Sequence, residues 1–243
     1  MKAVVIIPAR LASTRLPRKA LLSIAGKPMI QRVYEAARAS SAVSDVIVAT
    51  DSHEIYDLCA GRGMKAEMTS AECRSGTDRV REVAGRLAAD VYVNVQGDEP
   101  MARPEQLDTL LALMQRPGVE VGTLMTACKP EDVDAPSAVK IVVRQDGRAL
   151  YFSRATIPHD RDRAGNVARF KHLGFYAYTG SALERFCAWP ESALERAERL
   201  EQLRFLDNGV DIWAAETPFD SIGVDTAEDL ARVEAILRAE GRE

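Results

Sequence analysis

Four cations, Arg10, Arg15, Arg18 and Lys19, follow directly on the apolar run at residues 3–7. A run this short and this rich in β-branched residues reads as a buried strand. Ligands of open α/β sheets sit outside the carboxyl ends of their strands. Guanidinium groups grip phosphate oxygens in pairs, and a lysine adds a mobile point charge. The loop that leaves the first strand is therefore suited to a polyphosphate. An isolated basic cluster would read as a solvated surface; its place after strand one favours the ligand. The formal net charge of −4 argues against a broad nucleic-acid surface. The cations are local and fit a small anionic partner.

The run Val95, Gln96, Gly97, Asp98, Glu99, Pro100 is a second polar strand end. Alternate side chains of an extended run share a face, so Gln96 and Asp98 point together and Glu99 points away. A carboxylate among phosphate-binding cations suits Mg²⁺, which takes one or two carboxylates plus phosphate oxygens. As a plain turn residue, Asp98 would bond its own backbone instead. Asp225, between Val224 and Thr226, is either the N-cap of the last helix or a second metal carboxylate, and the residues alone leave both open.

Other residues carry weaker signals. Ser75, Gly76, Thr77 and Asp78 open a helix, where backbone amides favour an anion or a carbonyl, or where a cap simply starts the helix. Arg154 follows a strand and could clamp a carboxylate. His172 and Tyr176 are four apart on a strand and share a face. A lone histidine there is more often packed than catalytic. Glu201 and Gln202, beside Leu200, Leu203 and Leu206, could bond sugar hydroxyls or be ordinary polar neighbours of an apolar stripe. No Ser-His-Asp arrangement for nucleophilic catalysis is evident.

The elements that must position these residues alternate. Strands are predicted at 3–7, 45–50, 65–68 and 91–95. Helices are predicted at 29–39, from a cap at Asp51 or Ser52 to about 62, from a cap at Thr77 or Asp78 to about 88, and from Pro104 to 113. This order implies a parallel sheet with helices on both faces and right-handed crossovers. The second half predicts strands at 121–126, 138–143 and 150–153 without intervening helices, and a turn at 145–148. A mobile polar loop at 158–169, a strand at 172–178, a helix from 192 to about 206, a strand at 211–215 and a closing helix at 226–239 follow. The simplest account is a single domain over 1–243 with a β-rich excursion at roughly 121–180.

With 243 residues, 47% of them hydrophobic and 28% charged, the chain can build a real core. Cys59, Cys73, Cys128 and Cys187 form no close pair, which argues against zinc and disulfides and for apolar fillers in a reducing compartment. The chain opens directly on a strand, and no apolar run reaches a membrane-spanning length. A cytoplasmic location with no membrane partner is expected.

Several runs together resemble the 3-deoxy-D-manno-octulosonate (Kdo) cytidylyltransferases. They are Ile7 to Arg10 with Ser13 to Pro17 and Lys19; Ala49 to Asp51; Ser75 to Thr77; Asn94 to Pro100; Tyr151 to Pro158; His172 to Gly174; Leu200 to Arg204; and Gly223 to Thr226. The likeness runs in order through nearly the whole chain. The first and fourth runs are shared with wider sugar nucleotidyltransferases, including sialic acid activators.

The resemblance implies a Rossmann-like nucleotidyltransferase fold and a homodimer joined through the β-rich excursion. It implies transfer of CMP from CTP to the anomeric hydroxyl of Kdo, with release of pyrophosphate, for lipopolysaccharide synthesis. By the same resemblance Arg10, Arg15 and Lys19 hold the triphosphate; the charge needs of phosphoryl transfer add the expectation that Arg15 and Lys19 stabilise the leaving pyrophosphate. Ser75, Gly76 and nearby backbone read cytosine. Asp98 and Asp225 hold Mg²⁺. Gln96, Arg154, His172, Tyr176, Glu201 and Gln202 form the sugar pocket, with Arg154 on the sugar carboxylate. Arg18 stands where many relatives have glycine, and His159 where a tryptophan is common. The alternatives are a cytidylyltransferase for 8-amino Kdo or a sialic acid, and a non-catalytic nucleotide-binding protein.

Overall fold

The structure is a computed structural model and describes residues 1–11, 16–73, 75–162, 164–165 and 167–242. In chain order the elements are β1 (Ala3–Ala9), a 3-10 turn at Lys19–Leu21, β2 (Ser23–Ile24), β3 (Lys27–Pro28), α1 (Met29–Ala39), β4 (Asp45–Thr50), α2 (His53–Gly61), β5 (Ala66–Met68), α3 (Gly76–Ala84) and β6 (Val91–Val95). Then come α4 (Pro104–Met114), β7 (Val121–Ala127), α5 (Pro130–Val133), β8 (Lys140–Val143), β9 (Ala149–Ser153), β10 (Phe170–Tyr178), α6 (Gly180–Ala188), α7 (Ala193–Glu198), α8 (Leu203–Asp207), β11 (Trp213–Glu216) and α9 (Ala227–Ala239). They divide into two compact units, Met1–Asp108 with Ser221–Glu243, and Thr109–Asp220.

The first unit is the parallel α/β layer that the alternation predicts. β1 pairs in parallel with β4 on one side and β6 on the other, with Val5 opposite both Val46 and Val93. β5 extends the sheet beyond β4, also in parallel. Every residue of β1 and of β6 is buried, which is why both read as unbroken apolar runs. α1, α2 and α3 pack against these strands. The β2–β3 hairpin, α9 and the segment before α9 share an apolar cluster of Ile24, Met29, Met101, Val224, Val233 and Leu237. Burying these side chains fixes the chain's last helix beside the turn that carries Lys19.

The second unit is richer in antiparallel pairing. β10 runs antiparallel to β7 and β8, β8 runs antiparallel to β9, and β11 joins β7 in parallel. Its predicted strands form, but the region is not free of helices. Pro130 starts the short α5 with Glu131 and Asp132 in its first turn, a good match to the helix dipole. α6 lies outside the predicted elements, although Thr179 caps it and Ala182, Leu183 and Phe186 are buried at helical spacing. The helix expected over 192–206 is two. Arg199 adopts φ 55°, a left-handed conformation that ends α7 before α8 begins.

One cap in the first unit differs from expectation. Ser75, not Thr77 or Asp78, caps α3, and Asp78 completes the capping box from the third helical position. The same helix ends at Ala84, short of residue 88. Of the two caps expected for α2, Ser52 is the one that forms, and Asp51 bonds Arg79 at 2.9 Å.

The close approach of β1 to the chain leaving β6 demands glycine. A Cβ on Gly97 would lie 2.9 Å from the Pro8 carbonyl oxygen and 3.3 Å from Ile30 Cδ1. The first contact is with backbone and cannot swing aside. Gly97→Ala should therefore cost about 1–3 kcal/mol of stability, read as a lower urea midpoint with unchanged slope. An unaltered midpoint would mean that β1 and this turn are less tightly apposed.

Candidate active site

Three charged side chains from distant parts of the chain meet in the first unit. Lys19 Nζ donates to Asp98 Oδ2 at 2.6 Å and to Asp225 Oδ1 at 2.9 Å. Lys19 lies in the turn after the first strand's loop, Asp98 at the exit of β6, and Asp225 two residues before α9. Burial would depress the Lys19 ammonium, but Asp98 and then Asp225 overcome it, and its pKa is raised. The lysine is a fixed positive charge between two carboxylates.

Local chemistry sets each partner in place. Val224 N donates to Asp98 O at 2.9 Å, and the Ser221 hydroxyl donates to Glu99. These bonds draw the segment before α9 onto the exit of β6. The cap of α9 is Thr226, whose hydroxyl accepts from Asp229 N at 3.2 Å. Asp229 in turn accepts from the Asp225 and Thr226 amides at 3.1 and 2.9 Å. With the helix start satisfied by Thr226 and Asp229, the Asp225 carboxylate turns to Lys19. Thr226 and Asp229 are the three-residue spacing of a capping box, a signal the sequence carries.

Arg10 is exposed just beyond β1. Arg15, the other expected phosphate ligand, lies outside the described residues. Ser75 spends its hydroxyl on the α3 cap, accepting from Asp78 N at 3.1 Å. Gly76 lies under Gln96: a Cβ there would meet Gln96 Nε2 at 3.0 Å and Pro8 Cγ at 3.2 Å. Gln96 Nε2 donates to Asn94 Oδ1 at 3.3 Å. Asn94 is fully buried, and its Nδ2 has no hydrogen-bond partner. The expected base-reading glycine and the expected sugar-binding glutamine are thus neighbours.

The remaining expected sugar ligands lie in the second unit. His172 Nε2 is 3.0 Å from Thr123 Oγ1, and its ring meets Phe152 edge-on at 5.1 Å and Tyr176 at 5.3 Å. Residues four apart on an unbroken strand stand about 13 Å apart. A bulge between Leu173 and Tyr176 brings these two together. Tyr176 stacks on Tyr178 at 5.8 Å, and Tyr178 stacks on Phe205 of α8 at 5.8 Å. Tyr176 Oη is buried without a well-formed hydrogen bond, and Thr123 bonds His172 and the Phe175 carbonyl. Gln202 begins α8 with its Nε2 buried and unpartnered. Two of the expected sugar ligands therefore hold unused polar atoms. Glu201 adjoins Gln202 and is half-buried.

Arg154 is placed by groups that the sequence does not single out. Its Nε donates to Glu198 O at 2.9 Å, Nη1 to Pro136 O at 3.0 Å and Nη2 to Arg199 O at 3.4 Å. The Glu198 carboxylate takes the Ser153 hydroxyl at 2.6 Å and the Arg154 amide at 3.0 Å. Lys140, fully buried, donates to the carbonyls of Ala135, Ala138 and Arg154 at 2.9, 2.6 and 2.9 Å.

Among the described residues no three His, Cys, Asp or Glu side chains gather as a metal site. The donor set that does form, Asp98 and Asp225 around one ammonium, is two carboxylates converging on a single positive charge. Those hard oxygen donors fit a divalent cation that completes its shell with phosphate oxygens and water. The four cysteines are free thiols. No helix among the described residues is long and apolar enough to cross a membrane.

Residues 4–212 match the family model for cytidylyltransferases. The chain is 64% identical to a 3-deoxy-manno-octulosonate cytidylyltransferase of Koribacter versatilis, over 98% of this chain and 91% of that protein. It is 53% identical to one of Desulfatibacillum aliphaticivorans, over 98% of this chain and 99% of the relative. A CMP:2-keto-3-deoxy-manno-octonic acid synthetase solved with CTP superposes with a TM-score of 0.94 and 45% identity, covering 99% of this chain and 100% of the other. HddC from Yersinia pseudotuberculosis, 13% identical with a TM-score of 0.69 over 98% of this chain and all of the other, shares the fold alone. The chain belongs to the 3-deoxy-manno-octulosonate cytidylyltransferases.

The packing of His172 makes stability depend on pH. The residue keeps some exposed surface, yet its ring lies deep among Phe152, Tyr176 and Thr123, and burial pushes its pKa down to about 3. Below the ordinary value near 6.5 the unfolded chain takes up a proton that the native ring refuses, so stability falls as pH drops from about 6.5 toward 3 and is unaffected above. Between pH 7.5 and 5 the loss should reach about 2 kcal/mol in urea denaturation, and His172→Gln should abolish that part of it. An equal pH dependence in the variant would show that His172 is not the group responsible.

Proposed function

We propose that this chain transfers CMP from CTP to the anomeric hydroxyl of Kdo, giving CMP-Kdo and pyrophosphate. The observation that carries the reading is Lys19 Nζ held between Asp98 and Asp225 beside the strand ends of the first unit. It is a concentrated set of charges of the kind that phosphoryl transfer needs, since such chemistry relies on positioning and charge stabilisation more than on a protein nucleophile. The membership in the family supplies the substrates.

In this reading the sugar hydroxyl oxygen attacks the α-phosphorus and loses its proton to water. The bond from that phosphorus to the bridging oxygen breaks, and pyrophosphate leaves. Arg10, Arg15 and Lys19 neutralise the phosphates, with Arg15 and Lys19 on the leaving group. Ser75, Gly76 and their backbone receive the base. Gln96, Arg154, His172, Tyr176, Glu201 and Gln202 receive the sugar. The unsatisfied Tyr176 hydroxyl and Gln202 amide favour such a role, because a ligand's hydroxyls would pair them. Asp98 and Asp225 would hold Mg²⁺, which when bound supplies positive charge at the α-phosphate and lowers the pKa of the attacking hydroxyl. A homodimer joined through residues 121–180, working in the cytoplasm on CTP and Kdo for lipopolysaccharide synthesis, goes with this reading.

Pyrophosphate release from CTP with Mg²⁺, measured in parallel with Kdo, 8-amino Kdo and N-acetylneuraminate, tests it. Release with Kdo is expected, and its loss without Mg²⁺ and in Asp98→Asn. Release with another sugar alone would keep the mechanism and reassign the pocket. No release from folded protein that still binds CTP would point to a binding protein. Lys19→Ala should lower turnover on the order of a hundredfold; near-normal turnover in a folded variant would remove Lys19 from the chemistry.

A further inference from the structure

Lys19 occupies the place between Asp98 and Asp225 where a divalent cation would bind. Its ammonium is within hydrogen-bond distance of one oxygen on each carboxylate, at 2.6 and 2.9 Å. A metal ion bound to the same oxygens would bring two positive charges against this third at close range, a repulsion that a half-buried setting screens poorly. The ammonium and the metal therefore compete for one pair of carboxylates.

The competition has a way to resolve. The backbone of Lys19 is pinned in its turn, with Leu21 N bonded to Arg18 O at 2.9 Å and Leu22 N to Lys19 O at 3.1 Å. Arg18 holds the left-handed conformation that enters this turn, at φ 58°, and its guanidinium bonds Glu54. A flexible four-carbon stem remains, so the charge can move while the backbone stays. Oxygens of a polyphosphate are the anions able to draw the ammonium off the carboxylates and to repay it with new bonds.

We propose that Lys19 is an internal counter-ion that holds Asp98 and Asp225 together in the free protein and yields them to a divalent cation only when a nucleoside triphosphate arrives. Metal and nucleotide then bind with positive coupling. By linkage each raises the affinity of the other by the same factor. The carboxylates stay pre-arranged without metal, and free cation does not load a site that holds no nucleotide. This rests on the reading that CTP and a divalent cation meet at these residues.

The test is Mn²⁺ binding to nucleotide-free protein, read by the electron paramagnetic resonance of the free ion. Lys19→Met and Lys19→Gln should bind Mn²⁺ about tenfold more tightly than the wild type, or more. Adding Asp98→Asn should erase the gain. CTP should tighten Mn²⁺ binding strongly in the wild type and much less in either variant. Equal or weaker Mn²⁺ binding in folded variants overturns the proposal. If wild-type protein also releases pyrophosphate with Kdo, that result sinks the competition and leaves the catalytic reading standing. Tighter binding in the variants without release from any sugar supports the competition and sinks the reading.

Discussion

Two carboxylates brought within reach of one another repel unless they share a proton or a cation lies between them. In this chain Asp98 and Asp225 are brought together, and Lys19 is the cation. Much of the first unit serves that meeting. The β1 and β6 strands run side by side, so the loop after one and the turn after the other open at the same sheet edge. The last segment of the chain must then return to that edge. The Val224 amide on the Asp98 carbonyl, the Ser221 hydroxyl on Glu99 and the apolar cluster beneath α9 hold it there. The capping box of Thr226 and Asp229 settles the start of α9 and frees Asp225 to face the lysine.

The second unit handles buried charge differently. Lys140 is enclosed by carbonyl oxygens, and Arg154 likewise directs its guanidinium at the backbone of Pro136, Glu198 and Arg199. Such bonds satisfy a cation while fixing the chain segments that supply the carbonyls. They lock the end of β9 against the left-handed break at Arg199 and so set the start of α8, where Gln202 stands. The polar atoms left over, at Tyr176 and Gln202, belong to side chains held rigidly by stacked rings and a helix start. A ligand meeting them would find partners already oriented.

The parts of this molecule legible in its sequence are those whose signal is local. β1, β4 and β6 are buried on both faces, so each reads as an apolar run, and the charged residues at their ends follow from where such runs stop. α1 and α9 carry clear helical spacing, and their bounds lie within a residue of those the spacing predicts. What was not legible depends on partners far along the chain. Whether Asp225 caps a helix or faces a cation is decided by Asp229 and Lys19 together. The division of residues 192–206 turns on one left-handed residue, Arg199, which no apolar pattern announces. The nearness of His172 and Tyr176 comes from a bulge, not from the spacing of a regular strand. The use of Arg154 and Lys140 on carbonyls is likewise invisible until the strands are paired.

In the proposed exchange one pair of carboxylates serves first an ammonium and then a metal ion. The most direct measurement is a crystal structure of the protein with CTP and Mg²⁺. The exchange places Lys19 Nζ beyond hydrogen-bond reach of Asp98 and Asp225, against a phosphate oxygen, with the metal ion between the two carboxylates. Lys19 still bridging both carboxylates, with nucleotide and metal bound elsewhere, would contradict it.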